Sequence, residues 1–560
     1  MPQPLHDTQQ TTPPANTQAR RRLTRRAHRL CLALSGACLW LLLQSHALAA
    51  PVHPYPAACD FQTNCTEKPA RVITRLPPIP PTAASPRRFS HLPFLAVDFG
   101  IPRPPPPAAP VTPPVPQPVN HTKRWLPYLP WQYLNDAFTP ATHGPIVGAV
   151  TDSTATVFVR TFGMAAVQLG IATTPDGQGD RRLTAPVITR READFTTMIP
   201  LSDLQADTTY YLQVLVNGVP QAGEDLPRFR TFPAAATRPV KIVYLTDFAT
   251  TWNTGTILPT NTFAHAGDEN ADLVVIGGDF DHREPHSLAD KRQMFKDLYN
   301  VNDPNMASFV TDVLWRTPAA HMWDDHDYGR NDEDKGYFGR ELSQRVIREF
   351  FPLYPTPSTY GIWQKLRLGP VEIFLIDARS ERDNVDDPDG PEKSMLDGDN
   401  LGLYGQRYWL EQGLLQSTAT WKLLMVQVPF NPTVHKSDSW RTYQFERDWL
   451  LDLVRNARIK GVVFISGDMH AGGIDSGAHS GLPEMVVPPP NFKQCLTVYG
   501  ADRTMFGSGL WDKGAYWYLS EYRPCNGYGV ITASANPPQL RLEVKDSEGG
   551  VRLSYNVPWR

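Results

Sequence analysis

Four short apolar runs of this chain end in a carboxylate, and a fifth group of acids follows a similar run. Residues 240–246 lead to Asp247, 272–278 to Asp279 with Asp281 and His282 close behind, 373–376 to Asp377, and 462–467 to Asp468 followed by His470. Residues 319–322 run into Trp323-Asp324-Asp325-His326-Asp327. One aspartate at a strand end is ordinarily a solvated turn residue. Several converging on one cleft repel each other unless cations lie between them. Gly278 and Gly467, directly before Asp279 and Asp468, allow the sharp turn that aims a carboxylate into a cleft over a sheet edge. Carboxylate oxygens together with imidazole nitrogens suit calcium, manganese, iron or zinc. Two such ions side by side would clamp a phosphate and generate a hydroxide nucleophile at moderate pH. No serine or threonine stands in an evident activated-nucleophile setting, which fits attack by water without a covalent phosphoenzyme.

Groups of this kind need buried strands to position them. The runs at 240–246, 273–277, 373–376, 422–428 and 462–466 are compact enough for that, and helical patterns at 406–415 and 443–457 lie among them. Residues 527–534 and 539–557 return to strand-like alternation, with a turn at Gly549-Gly550. The stretch 238–560 therefore reads as a layered α/β domain with a mainly β finish. Upstream, short alternating segments and a hairpin signal at Asn217-Gly218 suggest a small fibronectin/Ig-like β-sandwich over 141–235, a structural or positioning module without a catalytic cluster. Residues 50–140, including Pro102-Arg103-Pro104-Pro105-Pro106-Pro107, read as a proline-rich linker.

The whole chain has 560 residues, 41% of them hydrophobic, and a net charge of −3. Buried cores rather than disorder follow from the first two values, and the third excludes the basic excess of a nucleic-acid partner. Residues 1–49 have the order of a cleavable export signal: Arg20-Arg21-Arg22-Leu23-Thr24-Arg25-Arg26, an apolar run at 30–43, then Ala47-Leu48-Ala49. An uncut anchor is the alternative, but the run is short for a bilayer span. Thr24-Arg25-Arg26 faintly resembles a twin-arginine signal. The expectation is an exported protein, periplasmic or extracellular, with no stable membrane span after cleavage. The mature chain keeps Cys59, Cys65, Cys495 and Cys525, most simply paired 59–65 and 495–525, although three pairings exist. Asn64-Cys65-Thr66 and Asn120-His121-Thr122 match the glycosylation sequon.

The order Asp247, Gly278-Asp279, Asp324-Asp325-His326, Gly467-Asp468-x-His470 resembles the metallophosphoesterase superfamily, and within it the PhoD-like, alkaline phosphatase D branch. The resemblance covers about residues 144–557 and includes Asp377-x-Arg379-x-x-Arg382 and Gln406-x-x-Trp409-Leu410. It implies a four-layer αββα core at 238–560, behind the β-sandwich, that hydrolyses phosphate esters, with calcium and iron as metals of relatives. By position it implies Asp247, Asp279, Asp325 and His470 as metal ligands, Asp279 as a bridge, and Asp468 as ligand or orienter. His326 would sit near the phosphate, stabilising developing charge or donating a proton to the leaving oxygen. Arg379 and Arg382 would fork onto phosphate oxygens, or else form a salt bridge under the sheet edge to Asp377 or Glu381. Asn331 and Asn431 are weaker candidates.

Two departures bear on the metals. Relatives often carry cysteine where this chain has Asp247, and tyrosine where it has His282. Both replacements bind metals, but the iron–thiolate arrangement is gone. The aromatic stretch 506–522 would wall the cleft or simply pack. The expected activity is hydrolysis of phosphomonoesters or phosphodiesters by a metal-bound hydroxide, on a small-molecule, lipid or polymer substrate. The alternatives are a dedicated phosphodiesterase for lipid headgroups or wall polymers, and a non-catalytic metal-containing surface binding protein.

Overall fold

The computed structural model describes residues 140–221, 223, 225–250, 257–492, 509–516 and 525–559. The export signal, the proline-rich linker, Cys59, Cys65, Cys495, both sequons, Trp517, Tyr518 and Tyr522 lie outside the described residues.

Each core strand alternates its side chains between two faces, and both faces are apolar. Ile242 and Tyr244 of Val240–Leu245 join Val275 of Leu273–Ile276 in one hydrophobic cluster, while Val243, Leu245, Val274 and Ile276 join another. The first cluster also takes Ile373, Leu375, Leu423, Met425, Val463 and Ile465, whereas Phe374, Leu424 and Phe464 point into a third. Two sheets therefore face each other across one core, and each presents its other face to helices. Residues from Thr262–Asp268, Leu288–Leu298 and Arg340–Phe350 cover the first sheet. Gln406–Gln416 and Gln444–Asn456 cover the second. The layers run αββα, as expected.

The first sheet has nine strands, in the order Val551–Val557, Pro538–Asp546, Gly527–Ala535, Val240–Leu245, Leu273–Ile276, Ala319–His321, Ala141–Gly148, Ala155–Thr161, Thr196–Leu201. Its centre, from Val240–Leu245 to Ala319–His321, is parallel. The second sheet has seven strands, with Val371–Leu375, Trp421–Met425 and Val462–Ser466 parallel at its centre. Parallel pairing aligns the carboxyl ends of neighbouring strands, so the acids that follow them share one edge.

The segment expected to stand apart as a sandwich is built onto this core. Ala141–Gly148 pairs with Ala319–His321 through Gly148 and Ala319, extending the nine-stranded sheet. Ala166–Ala172 and Thr209–Val216 form a separate sheet of six strands, whose Leu169, Ile171, Leu212 and Val214 share the inter-sheet cluster. A strand pattern shows which residues point inward but not which edge they meet, so this fusion is absent from the sequence reading. Asn217-Gly218 does form the expected turn, with φ of 50° and 79°.

Candidate metal centre

The residues that end the strands are held in backbone conformations that side chains other than glycine seldom adopt. Asp247, Asp279, Asp468 and His470 have φ of 61°, 52°, 59° and 50°. Such geometry costs on the order of 1 kcal/mol per residue and persists where the surroundings enforce it. Here the enforcement is visible. The Asp247 amide donates to Gly278 O at 3.2 Å and the Phe248 amide to Asp279 O at 2.7 Å. Asp327 accepts from the amides of Asp279 at 2.6 Å, Phe280 at 2.9 Å and Asp324 at 3.0 Å. Gly278, at φ 123°, lies so close to the neighbouring loop that a Cβ there would stand 2.5 Å from Asp324 N. That approach joins the Asp279 turn to the Asp324–Asp327 arm.

Both sheets contribute to one acidic cluster. Ligand atoms of Asp247, Asp279 and His470 lie within 4.8 Å of one another, as do those of Asp279, His282 and His326, and those of Asp279, Asp324 and Asp325. Asp279 is common to these three groups, and Asp325 also groups with Asp332 and Asp438. Both carboxylate oxygens of Asp247 and of Asp279 are buried without a hydrogen-bond partner among the described residues. Burial pushes both carboxyls well above the usual carboxylate range, reinforced at Asp247 by Asp468 and at Asp279 by Asp325 and Asp324. Burial also pulls His470 down to about 3, so its imidazole is neutral and able to ligate. Buried, unpartnered oxygens beside neutral imidazoles fit hard or borderline cations.

A different arrangement meets the expected phosphate fork. Arg379 and Arg382 are fully buried. Arg379 Nε donates to Asp324 Oδ1 at 2.6 Å, and its Nη2 lies 2.9 Å from Asp438 Oδ2. Arg382 pairs with Asp438 and donates to the carbonyls of Asp332 and Glu333, the latter at 3.0 Å. Their surroundings do not support a direct hold on substrate. A buried ion-pair network stands instead, and its partners are Asp324 and Asp438 rather than Asp377 or Glu381. Against the burial that would raise it, Arg379 and then His326 keep the Asp325 carboxyl below its ordinary range. Asp377 is a turn-former: it accepts from Trp323 Nε1 at 2.9 Å, from the Arg379 and Ser380 amides, each at 3.0 Å, and from the Ile362 amide at 2.9 Å. The Gln406 side chain bonds to both the amide and the carbonyl of Asp377, which accounts for that glutamine's place in the motif.

Of the remaining candidates, His326 has its Nδ1 3.0 Å from Glu284 Oε1. Asn331 is exposed and contributes its backbone amide, which donates to the same Glu284 oxygen at 2.9 Å. Asn431 is buried and locally engaged, donating to Leu510 O at 2.8 Å and accepting from Thr433. Asp468 stands 2.9 Å from Lys436 Nζ and falls in none of the close ligand groups found among the described residues. Asp281 lies beside the ligands but pairs with Arg283 and Thr250. Trp511 packs with Val434, Met469, Ala471 and Val486, and Tyr516 enters the inter-sheet core, so the described part of the aromatic stretch is packing.

Sequence reasoning missed Glu284, Asp327, Lys436 and Asp438. Asp327 lay in view inside the acidic run; Lys436 and Asp438 follow a strand whose loop drew notice only for Asn431.

The solved structure entitled "Structure of PhoD" overlays with a TM-score of 0.57 at 17% identity, covering 73% of this chain and 89% of that one, a likeness of fold. Residues 262–479 match the family model described as PhoD-like phosphatase. The chain is also 25% identical to alkaline phosphatase D of Bacillus subtilis (strain 168) over 37% of this chain and 43% of that protein, and thus spans less than half of that relative's length.

Proposed function

We propose that this chain is an exported, metal-dependent hydrolase of phosphate esters. The observation that carries the reading is the convergence of Asp247, Asp279, Asp325, His282 and His470, with the oxygens of Asp247 and Asp279 buried and unpartnered. Cations held there would neutralise phosphate charge and supply a hydroxide nucleophile from water. Asp279, shared among the ligand groups, would hold two ions in one frame. His326, oriented through Nδ1 by Glu284, would offer Nε2 toward the leaving oxygen as proton donor. Asp468 would orient rather than ligate, given its lysine partner. The oxygen of Asp247 in place of a thiolate favours manganese, calcium or a carboxylate-bound iron.

The signal-like order of residues 1–49 supports export, and no helix among the described residues is long and apolar enough to cross a membrane. The division into linker, 141–235 and 238–560 belongs to the same reading, as does a Cys495–Cys525 pairing, supported by the complete burial of Cys525. The test is elemental analysis of the purified protein, with turnover of 4-nitrophenyl phosphate and bis(4-nitrophenyl) phosphate before and after metal stripping. Chelator-sensitive turnover restored by metal is the expected result, and the ratio of the two substrates assigns mono- or diester preference. Metal-bearing protein that hydrolyses neither would leave the binding-protein alternative standing.

A further inference from the structure

A phosphate ester brings negative charge to a site already crowded with carboxylates, so a cation must receive it. The two arginines first in line are fully buried and committed to Asp324 and Asp438. Lys436 differs from them in place and partner. Its ammonium stands 2.9 Å from Asp468 Oδ2, and its side chain keeps 13% exposure. Its charge also acts on Asp247, Asp325 and His470, which places it beside the ligand cluster.

The loop that bears this lysine is anchored on either side. Before it, Asn431 donates to Leu510 O at 2.8 Å and Val434 packs against Met469 and Trp511. After it, Ser439 Oγ donates to Lys436 O at 2.6 Å, and Asp438 is drawn under the surface by Arg379 and Arg382. The arginines thus hold the loop, and the loop presents the lysine.

We propose that Lys436 is the substrate-binding cation of this site: oriented by Asp468, it pairs with a phosphate oxygen of the bound ester. This rests on the phosphoester reading above, and the test separates the two. Inhibition by inorganic phosphate, its calorimetric binding, and KM for 4-nitrophenyl phosphate are measured for the metal-loaded wild type, K436M and K436R, with elemental analysis of each. A hydrogen bond to a charged group is worth roughly 1.5–3 kcal/mol, so K436M should weaken phosphate binding and raise KM by about tenfold or more. The metal content should not change, and K436R should recover most of the loss. Unchanged phosphate affinity and KM in K436M would overturn the proposal. So would the gain of one metal ion per chain, because the lysine would then be filling an ion's place. Wild-type protein that binds no phosphate also overturns it. If the wild type binds phosphate but cleaves no ester, the hydrolase reading fails, while the calorimetric comparison with K436M still decides the role of the lysine.

Discussion

Two groups of buried acids lie within the same edge of the two sheets and are treated in opposite ways. Asp324 pairs with Arg379 and is still pushed well above the ordinary range by its burial, but Asp438 faces both Arg379 and Arg382, which together hold its carboxyl down at about 2. Burial opposes that shift and is outweighed by the two arginines. Asp247 and Asp279 have no such partners, and their carboxyls are driven far upward. Guanidinium partners fix a rigid floor at Asp438, whereas the burial of Asp247 and Asp279 among other acids is left to the cations proposed above. Acids buried with so little compensation are costly and point to a functional site.

The sharpest way to break this contrast is to remove a charge from the unpartnered group. D279N should lower turnover by about three orders of magnitude or more, as expected for loss of a shared ligand. The same substitution should stabilise chelator-treated protein at pH 8, because the wild-type carboxylate is there buried among other acids without compensation. Turnover assays and thermal melts with and without chelator check both halves. A metal-free D279N that melts below metal-free wild type would mean that Asp279 is a structural acid.

On the partnered side the sign reverses. D438N leaves Arg379 and Arg382 facing each other with one carboxylate fewer, and breaking a buried pair costs about 3–5 kcal/mol. Urea denaturation should show that loss with or without metal, together with weaker inhibition by phosphate as the Lys436 loop loosens. Stability within about 0.5 kcal/mol of wild type would remove the network from the supports of the site.

Much of this contrast was legible before the fold was known, and the rest could not have been. Residues such as Asp247, Asp279 and His470 announce themselves by following apolar runs, because a strand's end is a local property of sequence. Which acid receives an arginine is a property of tertiary distance: Arg379 lies 55 residues from Asp324. Asp324 and Asp325 are adjacent in sequence, yet one sits on the buried arginine while the other also receives the Asp332 amide at 2.6 Å. The joining of Ala141–Gly148 to the central sheet escaped for the same reason, since it depends on which strand edge Gly148 meets, that of Ala319.

Glu446 offers the mildest test, since it sits between the two treatments. It is completely buried, accepts from Ser394 Oγ at 2.5 Å and from the amides of Met395 at 2.6 Å and Leu396 at 3.2 Å, and has Arg407 only at 3.9 Å. Hydrogen bonds without a close cation do not offset its burial, and its carboxyl is pushed up to about 7. A folded-state value above the unfolded one means that the contribution to stability is complete below about pH 4.5 and is lost as pH rises through about 7. E446Q keeps the geometry: one amide atom accepts from the two backbone N–H groups while the NH2 donates to Ser394 Oγ. The substitution should therefore be nearly neutral at pH 4.5. Relative to wild type it should become stabilising as pH climbs to 7, by at most roughly 3.5 kcal/mol at about 1.4 kcal/mol per unit, and level off above that. Urea midpoints at pH 4.5, 6 and 8.5 measure the slope. A difference independent of pH would show that Glu446 is ionised throughout, and that hydrogen bonds alone suffice to keep a buried carboxylate charged in this protein.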